Sequence, residues 1–205
     1  MTNIPEIFIN KIISARIYKK FFPLDISDKV LNLGVGYGPQ VFIYKDDFGE
    51  MVGVDINEER LNKSREILDY YGVKNYRTIL TKVESIPLPS LSFNKIIAID
   101  VIEHVESPVR AIKEANRLLR PKGLMLITFP CLYDHYISLS RFLKGKFKKE
   151  TSAGWNPDAH NQSFTPKQWI ALMENNGFHL IKSRATTMFP PLHLLGVPRF
   201  WFSNK

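Results

Sequence analysis

Cysteine occurs once, at Cys131, which excludes an internal disulfide and a multi-cysteine zinc site and suits a reducing compartment. No stretch approaches the ~18 to 20 apolar residues needed to cross a bilayer. Pro5, Glu6, Asn10, Lys11 and Arg16 interrupt the N-terminal apolar stretch, so no signal peptide is expected there and the reading is cytoplasmic. Internal repeats and low-complexity segments are absent as well. What is present is 205 residues, 44% hydrophobic and 23% charged, the composition of one globular domain able to bury a sizeable core. Acids are the minority, 20 against 28 Lys and Arg, for a net charge of +8. From Val30 to Ser140 the balance is nearly neutral, thirteen basic against fourteen acidic residues. The excess lies outside: residues 1–29 carry +2, residues 141–150 carry +4, and residues 175–205 carry +4 with no acid at all. Such runs are either a solvated face or an attraction for an anionic substrate or membrane surface.

Strands and helices alternate along the chain. Val30 to Leu33 is a short apolar run stopping at a glycine cluster, which reads as a buried strand entering a tight turn, with a helix from Pro39. Met51 to Asp55 reads as a second strand. Asn57 then caps a helix with Leu61, Ser64, Leu68 and Tyr71 on one face, ended by Gly72. A third strand is expected at Tyr76 to Leu80 and a fourth at Phe93 to Val101, followed by an N-cap and helix-first proline at Ser107 and Pro108. That helix runs to about Leu119, Arg120 to Gly123 break the chain, and Leu124 to Phe129 form a fifth strand. Thr165 and Gln168 have capping-box spacing ahead of Trp169 and Met173, and Phe178 to Ala185 reads as a further strand. An antiparallel strand at Arg199 to Phe202 fits the tail. Parallel neighbours need crossover helices, so this order implies an α/β, doubly wound, mainly parallel sheet with helices on both faces.

In such sheets ligands bind beyond the carboxyl ends of the strands, and the first strand-to-helix turn is the likeliest cradle. Here that turn carries Gly34, Gly36 and Gly38. Asp55 ends the second strand nineteen residues after Gly36, where a carboxylate can accept from ribose hydroxyls. A dinucleotide fingerprint needs a small residue at position 39, and Pro39 argues against NAD.

The pattern VLNLGVGYG, then VGVD, then FNKIIAIDVIEHV and LLRPKGLMLITFP closely resembles the class I S-adenosylmethionine-dependent methyltransferases, nearest to the small-molecule group that includes ubiquinone-biosynthesis enzymes. The likeness covers about residues 28 to 185 and implies a Rossmann-like, seven-stranded-type fold, S-adenosylmethionine as cofactor, and methyl transfer to an oxygen of a small-molecule acceptor. It further implies that Gly34, Gly36 and Gly38 lie against the methionine moiety with Asn32 near its ammonium, that Asp55 holds the ribose, that Ile56 packs on adenine with Val83 beside it, and that Asp100 and Val101 face the sulfonium. Three positions depart from the family's habit, which favours an acid at Asn32 and an aspartate at Lys82 and at Asn94. Those departures motivate one rival reading, a non-catalytic methyltransferase-like binding protein.

Glu103 and His104 follow the fourth strand, and in the family this pair borders the acceptor pocket. A hydroxyl acceptor must be aligned with the methyl group and lose its proton, and His104 or His160 is the candidate base, with Glu103 beside it. Alternatively Asp100, Glu103 and His104 resemble the metal set of some ubiquinone-pathway and small-RNA 2′-O-methyltransferases, completed in the latter by a later histidine as His160 could do here, and with the +8 charge this keeps an RNA acceptor as a second rival. The preferred reading has no metal and no nucleic acid. Residues 131–157 are expected to be a lid-like insertion, in which Tyr133, Phe142, Phe147 and Trp155 stand among basic residues, either packed as a helical flap or facing an anionic or amphipathic acceptor. The single domain thus has an N-terminal helical segment at 1–27, this insertion, and an apolar basic tail at 186–205. Its oligomeric state is not legible.

Overall fold

The computed structural model describes residues 4–5, 8–9, 12, 19–129, 164–187 and 196–204, with side chains to Arg184. The insertion at 131–157 lies outside the described residues, as does His160. The elements are β1 (Lys29–Leu33), α1 (Pro39–Ile43), β2 (Glu50–Asp55), α2 (Glu58–Tyr70), β3 (Tyr76–Leu80), β4 (Phe93–Ile99), α3 (Pro108–Leu118), β5 (Leu119–Thr128), α4 (Pro166–Glu174), β6 (Phe178–Thr187) and β7 (Gly196–Asn204). They form a seven-stranded sheet in the order β3-β2-β1-β4-β5-β7-β6. Strands β1 to β5 pair in parallel, and β7 runs antiparallel to both of its neighbours. The strand expected in the tail is therefore present, and it is longer than its apolar residues suggested.

Each central strand buries both faces, as a sheet covered on two sides requires. Leu31 and Leu33 of β1 join a core with α3 and α4, while Val30 joins a second core with Tyr44, Leu61 and Leu68 on the opposite face. The helix starts follow the local chemistry. Asn57 Oδ1 accepts from Arg60 N at 2.9 Å, Ser107 Oγ accepts from Arg110 N at 3.4 Å, and Thr165 and Gln168 close a reciprocal capping box. Gly72, at φ +66°, ends α2.

Three boundaries differ from expectation. In α2 the last turn buries Ile67 beside the expected Leu68, whereas Tyr71 is the half-exposed C-cap, one step past the helix. Strand β4 stops at Ile99 because Asp100 takes a left-handed φ of +52° and turns the chain. Residues Arg120 to Gly123 do not break the chain: Leu119 already pairs with Phe93, and the ladder resumes at Leu124 opposite Lys95, so the segment is an irregularity within β5.

One polar cluster ties the loop before β4 to α3. Glu114 accepts from Arg117 Nη2 at 2.7 Å, from Arg117 Nε at 2.8 Å and from the Ile86 amide at 2.7 Å, while Arg117 also donates to the carbonyls of Ile86 and Leu88. The hydrogen bonds from Arg117, above all, hold the Glu114 carboxyl below the usual carboxylate range. A folded-state value below the unfolded one means that this stabilisation is present above the ordinary glutamate pKa and is lost as pH falls through the depressed value. Glu114→Gln should cost about 1 to 2 kcal/mol at neutral pH, the low part of the range for charged hydrogen bonds because the guanidinium is partly solvated. Urea titrations of parent and variant should converge in acid, and a gap that persists there would refute the assignment.

Candidate active site

Order reversal in the sheet places β1 between β2 and β4, the two strands reached by opposite crossovers, and their carboxyl ends open a crevice there. A cavity of about 650 Å³ fills it. The turn after β1 contributes Gly34, Val35, Gly36 and Tyr37; the end of β2 and the start of α2 contribute Asp55, Ile56 and Arg60. The loop after β3 adds Lys82, Val83 and Glu84, and the end of β4 adds Asp100, Val101 and His104.

Asp55 stitches this crevice together. Its Oδ2 accepts from Gly36 N at 2.9 Å and its Oδ1 accepts from Asn57 N at 2.9 Å, so one carboxylate fixes both the glycine turn and the entry to α2. Each oxygen keeps further acceptor capacity. Two glycines of the turn are needed for different reasons. Gly34, at φ +62°, is pressed on Val101, whose Cγ2 would stand 2.3 Å from an added Cβ. Gly36, at φ +54°, has nothing within 4 Å of that position, so the space beside it is open to a ligand. Gly38 faces Ser64 and Leu68 of α2 rather than the cavity.

Hydrophobic and charged groups divide the cavity. Ile56 is 71% exposed and Val83 is buried, an apolar pair available to a flat ring. Beside them Lys82 Nζ reaches Glu106 Oε1 at 2.7 Å, and the Glu106 amide donates to Glu84 Oε1 at 3.1 Å, joining the loops after β3 and β4. The hydrogen bond between them raises the Lys82 ammonium pKa and lowers that of the Glu106 carboxyl. Both side chains are well exposed, so this bridge acts through a screened field. On the β4 side, the wholly buried Glu103 places Oε1 3.8 Å from Nε2 of the half-exposed His104, and the His104 amide donates to the Val101 carbonyl at 3.0 Å.

Of the residues singled out in the sequence, Gly34, Gly36, Asp55, Ile56, Val83, Asp100, Val101 and His104 line this one cavity. Asn32 and Glu103 are buried and do not line it, and the Asn32 amide nitrogen has no hydrogen-bond partner among the described residues. Asn94 lies at the other end of β4, where it accepts from Lys29 N at 2.6 Å and donates to Asp28, so its departure from the family's habit serves the strand edge. Among the described residues no group of three or more His, Cys, Asp or Glu converges as a metal set. The sequence reading missed Phe8, Tyr37, Gln40, Arg60 and Glu106. Tyr37 lies within the glycine turn, Gln40 just after it and Arg60 in the first turn of α2, positions that the turn and Asp55 already pointed to. Phe8 carried no local signal. It reaches the cavity only through tertiary packing, edge-on to Phe42 at 5.7 Å between ring centroids.

A doubly wound sheet with a glycine turn and a strand-end acid at its switch point defines a nucleotide-binding α/β protein. Residues 9–183 match the methyltransferase-domain family, and the chain belongs to the class I S-adenosylmethionine-dependent methyltransferases. It is 30% identical over 108 residues to the methyltransferase YcgJ of Bacillus subtilis, covering 53% of this chain and 41% of that protein. It is 27% identical to the demethylmenaquinone methyltransferase of Chlamydia muridarum over 96% of this chain and 90% of the other. The fold matches the crystal structure of the PH0226 protein of Pyrococcus horikoshii with a TM-score of 0.75 at 20% identity, covering 98% and 92% of the two chains. The chain spans less than half the length of some of its curated relatives, YcgJ among them. S-adenosylmethionine is the cofactor of the class. The crevice suits it, since the open space beside Gly36, the twice-bonded Asp55 and the apolar Ile56 and Val83 offer one surface each to a polar tail, a ribose and a base. Among the described residues no helix is long and apolar enough to cross a membrane.

Proposed function

We propose that the chain transfers a methyl group to an oxygen of a small-molecule acceptor, with His104 as the base or orienting group. The observation that carries this reading is that one cavity is lined both by Asp55 and Ile56 from the end of β2 and by Asp100, Val101 and His104 from the end of β4, so an imidazole shares the space with the strand-end carboxylate. In the same reading the turn at Gly34 and Gly36 takes the methionine part, with Asn32 and Gly38 supporting it from behind, and Asp55 takes the ribose hydroxyls. Ile56 and Val83 take the adenine, and Asp100 and Val101 face the sulfur.

When bound, the cofactor supplies a methyl carbon made electrophilic by its sulfonium. The protein's part is alignment and proton handling. The His104 imidazole would take up the proton of the acceptor hydroxyl, and the buried Glu103 side chain, 3.8 Å from Nε2, would stabilise the imidazolium that results. The basic aromatic insertion at 131–157, with His160 shortly after it, is assigned to the acceptor side, where an anionic or amphipathic molecule would find both charge and apolar surface.

The test supplies S-adenosylmethionine with the ultrafiltrate of a cell extract and measures S-adenosylhomocysteine release. Turnover that survives ribonuclease supports a small-molecule acceptor. Turnover confined to a ribonuclease-sensitive fraction would favour RNA, and binding without turnover in any fraction would favour a binding protein. Within the same reading, Asp55→Ala should weaken S-adenosylhomocysteine binding by about 1.5 to 3 kcal/mol, the scale for hydrogen bonds to a charged group. Calorimetry showing parental affinity would remove Asp55 from the ribose site.

A further inference from the structure

We propose that Thr128 is a positioning residue for methyl transfer, fixing the Asp100 carboxylate so that the site favours the charged cofactor over its neutral product. The inference rests on the placement of Asp100 at the sulfur end under Proposed function.

Asp100 is held in an unusual way. Its φ of +52° lies in the left-handed region, uncommon for any residue but glycine, at the point where β4 gives way to the cavity. Its amide donates to Thr128 Oγ1 at 2.9 Å, and the same hydroxyl donates back to Asp100 Oδ1 at 2.6 Å. A hydroxyl has one donor and two acceptor sites, so a single group on β5 satisfies the backbone and the side chain of Asp100 together. Thr128 is wholly buried, and its partner across the β4–β5 ladder is Ile99, the residue just before Asp100. Its branched Cβ restricts χ1, which keeps the hydroxyl aimed at the turn.

Oδ1 is thus engaged by Thr128, while Oδ2 has no protein partner among the described residues and belongs to a residue that lines the cavity. A carboxylate fixed in this way attracts a sulfonium and has no net charge to meet in a thioether. Differential affinity for the two ligands is therefore a direct reading of where the carboxylate points. A threonine that merely satisfied the turn would change both affinities alike.

The experiment measures dissociation constants of the full chain for S-adenosylmethionine and for S-adenosylhomocysteine by calorimetry, and follows their ratio. Thr128→Val keeps the side-chain volume and removes the hydroxyl. The preference for S-adenosylmethionine should fall on the order of 3- to 10-fold, because charge–charge attraction weakens when the carboxylate swings toward water. Thr128→Ser should retain the parental ratio, and Asp100→Asn should lower the ratio at least as far as Thr128→Val. In the Thr128→Val, Asp100→Asn double variant the ratio should stay at the Asp100→Asn value, since no charge remains to be positioned. If Thr128→Val does not fold, Thr128→Ala serves in its place. A ratio lowered by Asp100→Asn but unchanged without the hydroxyl overturns the role of Thr128 alone, as does a Thr128→Ser variant as impaired as the valine. A ratio unmoved by Asp100→Asn instead overturns the placement of Asp100 at the sulfur, and the inference with it.

Discussion

Turnover in His104→Ala should fall about 10² to 10⁴-fold, the range for losing a positioned general base, while S-adenosylhomocysteine affinity stays close to that of the parent. The split follows from geometry. His104 lines the cavity from the loop after β4, with Asp100 and Val101, whereas Gly36 and Asp55 come from the ends of β1 and β2 and are tied to each other. The measurement is single-turnover methyl transfer with the acceptor found in the ultrafiltrate, paired with calorimetry on the same preparation. Under this assignment exhaustive chelation leaves the parent's rate intact. Loss of turnover on chelation, with Mg²⁺ or Mn²⁺ restoring it, would instead make Asp100, Glu103, His104 and His160 ligands, the ion taking over activation of the hydroxyl. Equal loss of rate and cofactor affinity in His104→Ala would show an imidazole that supports the cavity as a whole.

Gly34→Ala is expected to damage both stability and cofactor binding. Two costs add at one atom. A left-handed φ of +62° costs an L-residue ~1 to 2 kcal/mol, and a Cβ placed 2.3 Å from Val101 Cγ2 brings an overpacking cost of ~1 to 3 kcal/mol more. A loss of ~2 to 5 kcal/mol lowers Tm by roughly 4 to 20 °C in a domain of this size. Any relief comes from Val101 moving, and Val101 lines the cavity, so S-adenosylhomocysteine affinity should drop by at least about tenfold through the displaced side chain. Gly36→Ala separates the two causes, because its φ is also left-handed but its Cβ would meet nothing within 4 Å. Trimming Val101 to alanine in the Gly34→Ala background should recover part of the stability. An unchanged Tm in Gly34→Ala, or no recovery in the double variant, would mean that Gly34 and Val101 do not press on one another.

Much of this protein is written in local patterns. The caps at Asn57, Ser107 and Thr165, the stop at Gly72 and the apolar runs of β1, β2 and β4 depend on neighbours a few residues away, and the alternation of strands with helices then limits the sheet to a parallel, doubly wound one. The glycine turn and Asp55 were legible for the same reason, since each sits at a strand end whose position the pattern dictates. What the sequence left open concerns groups that meet only across the fold. Phe8 enters the cavity from far upstream, Lys82 reaches Glu106 between two loops, and Thr128 grips Asp100 from the next strand. The chain by itself determined the sheet, the family and the glycine turn and strand-end acid that line the cavity, because hydrophobic period, capping and turn chemistry act over short separations. Only the tertiary structure decided that Gly38 serves α2, that Asn32 and Glu103 are buried and do not line the cavity, and that one buried hydroxyl holds Asp100, because those outcomes depend on which distant side chains are brought within hydrogen-bond or van der Waals reach.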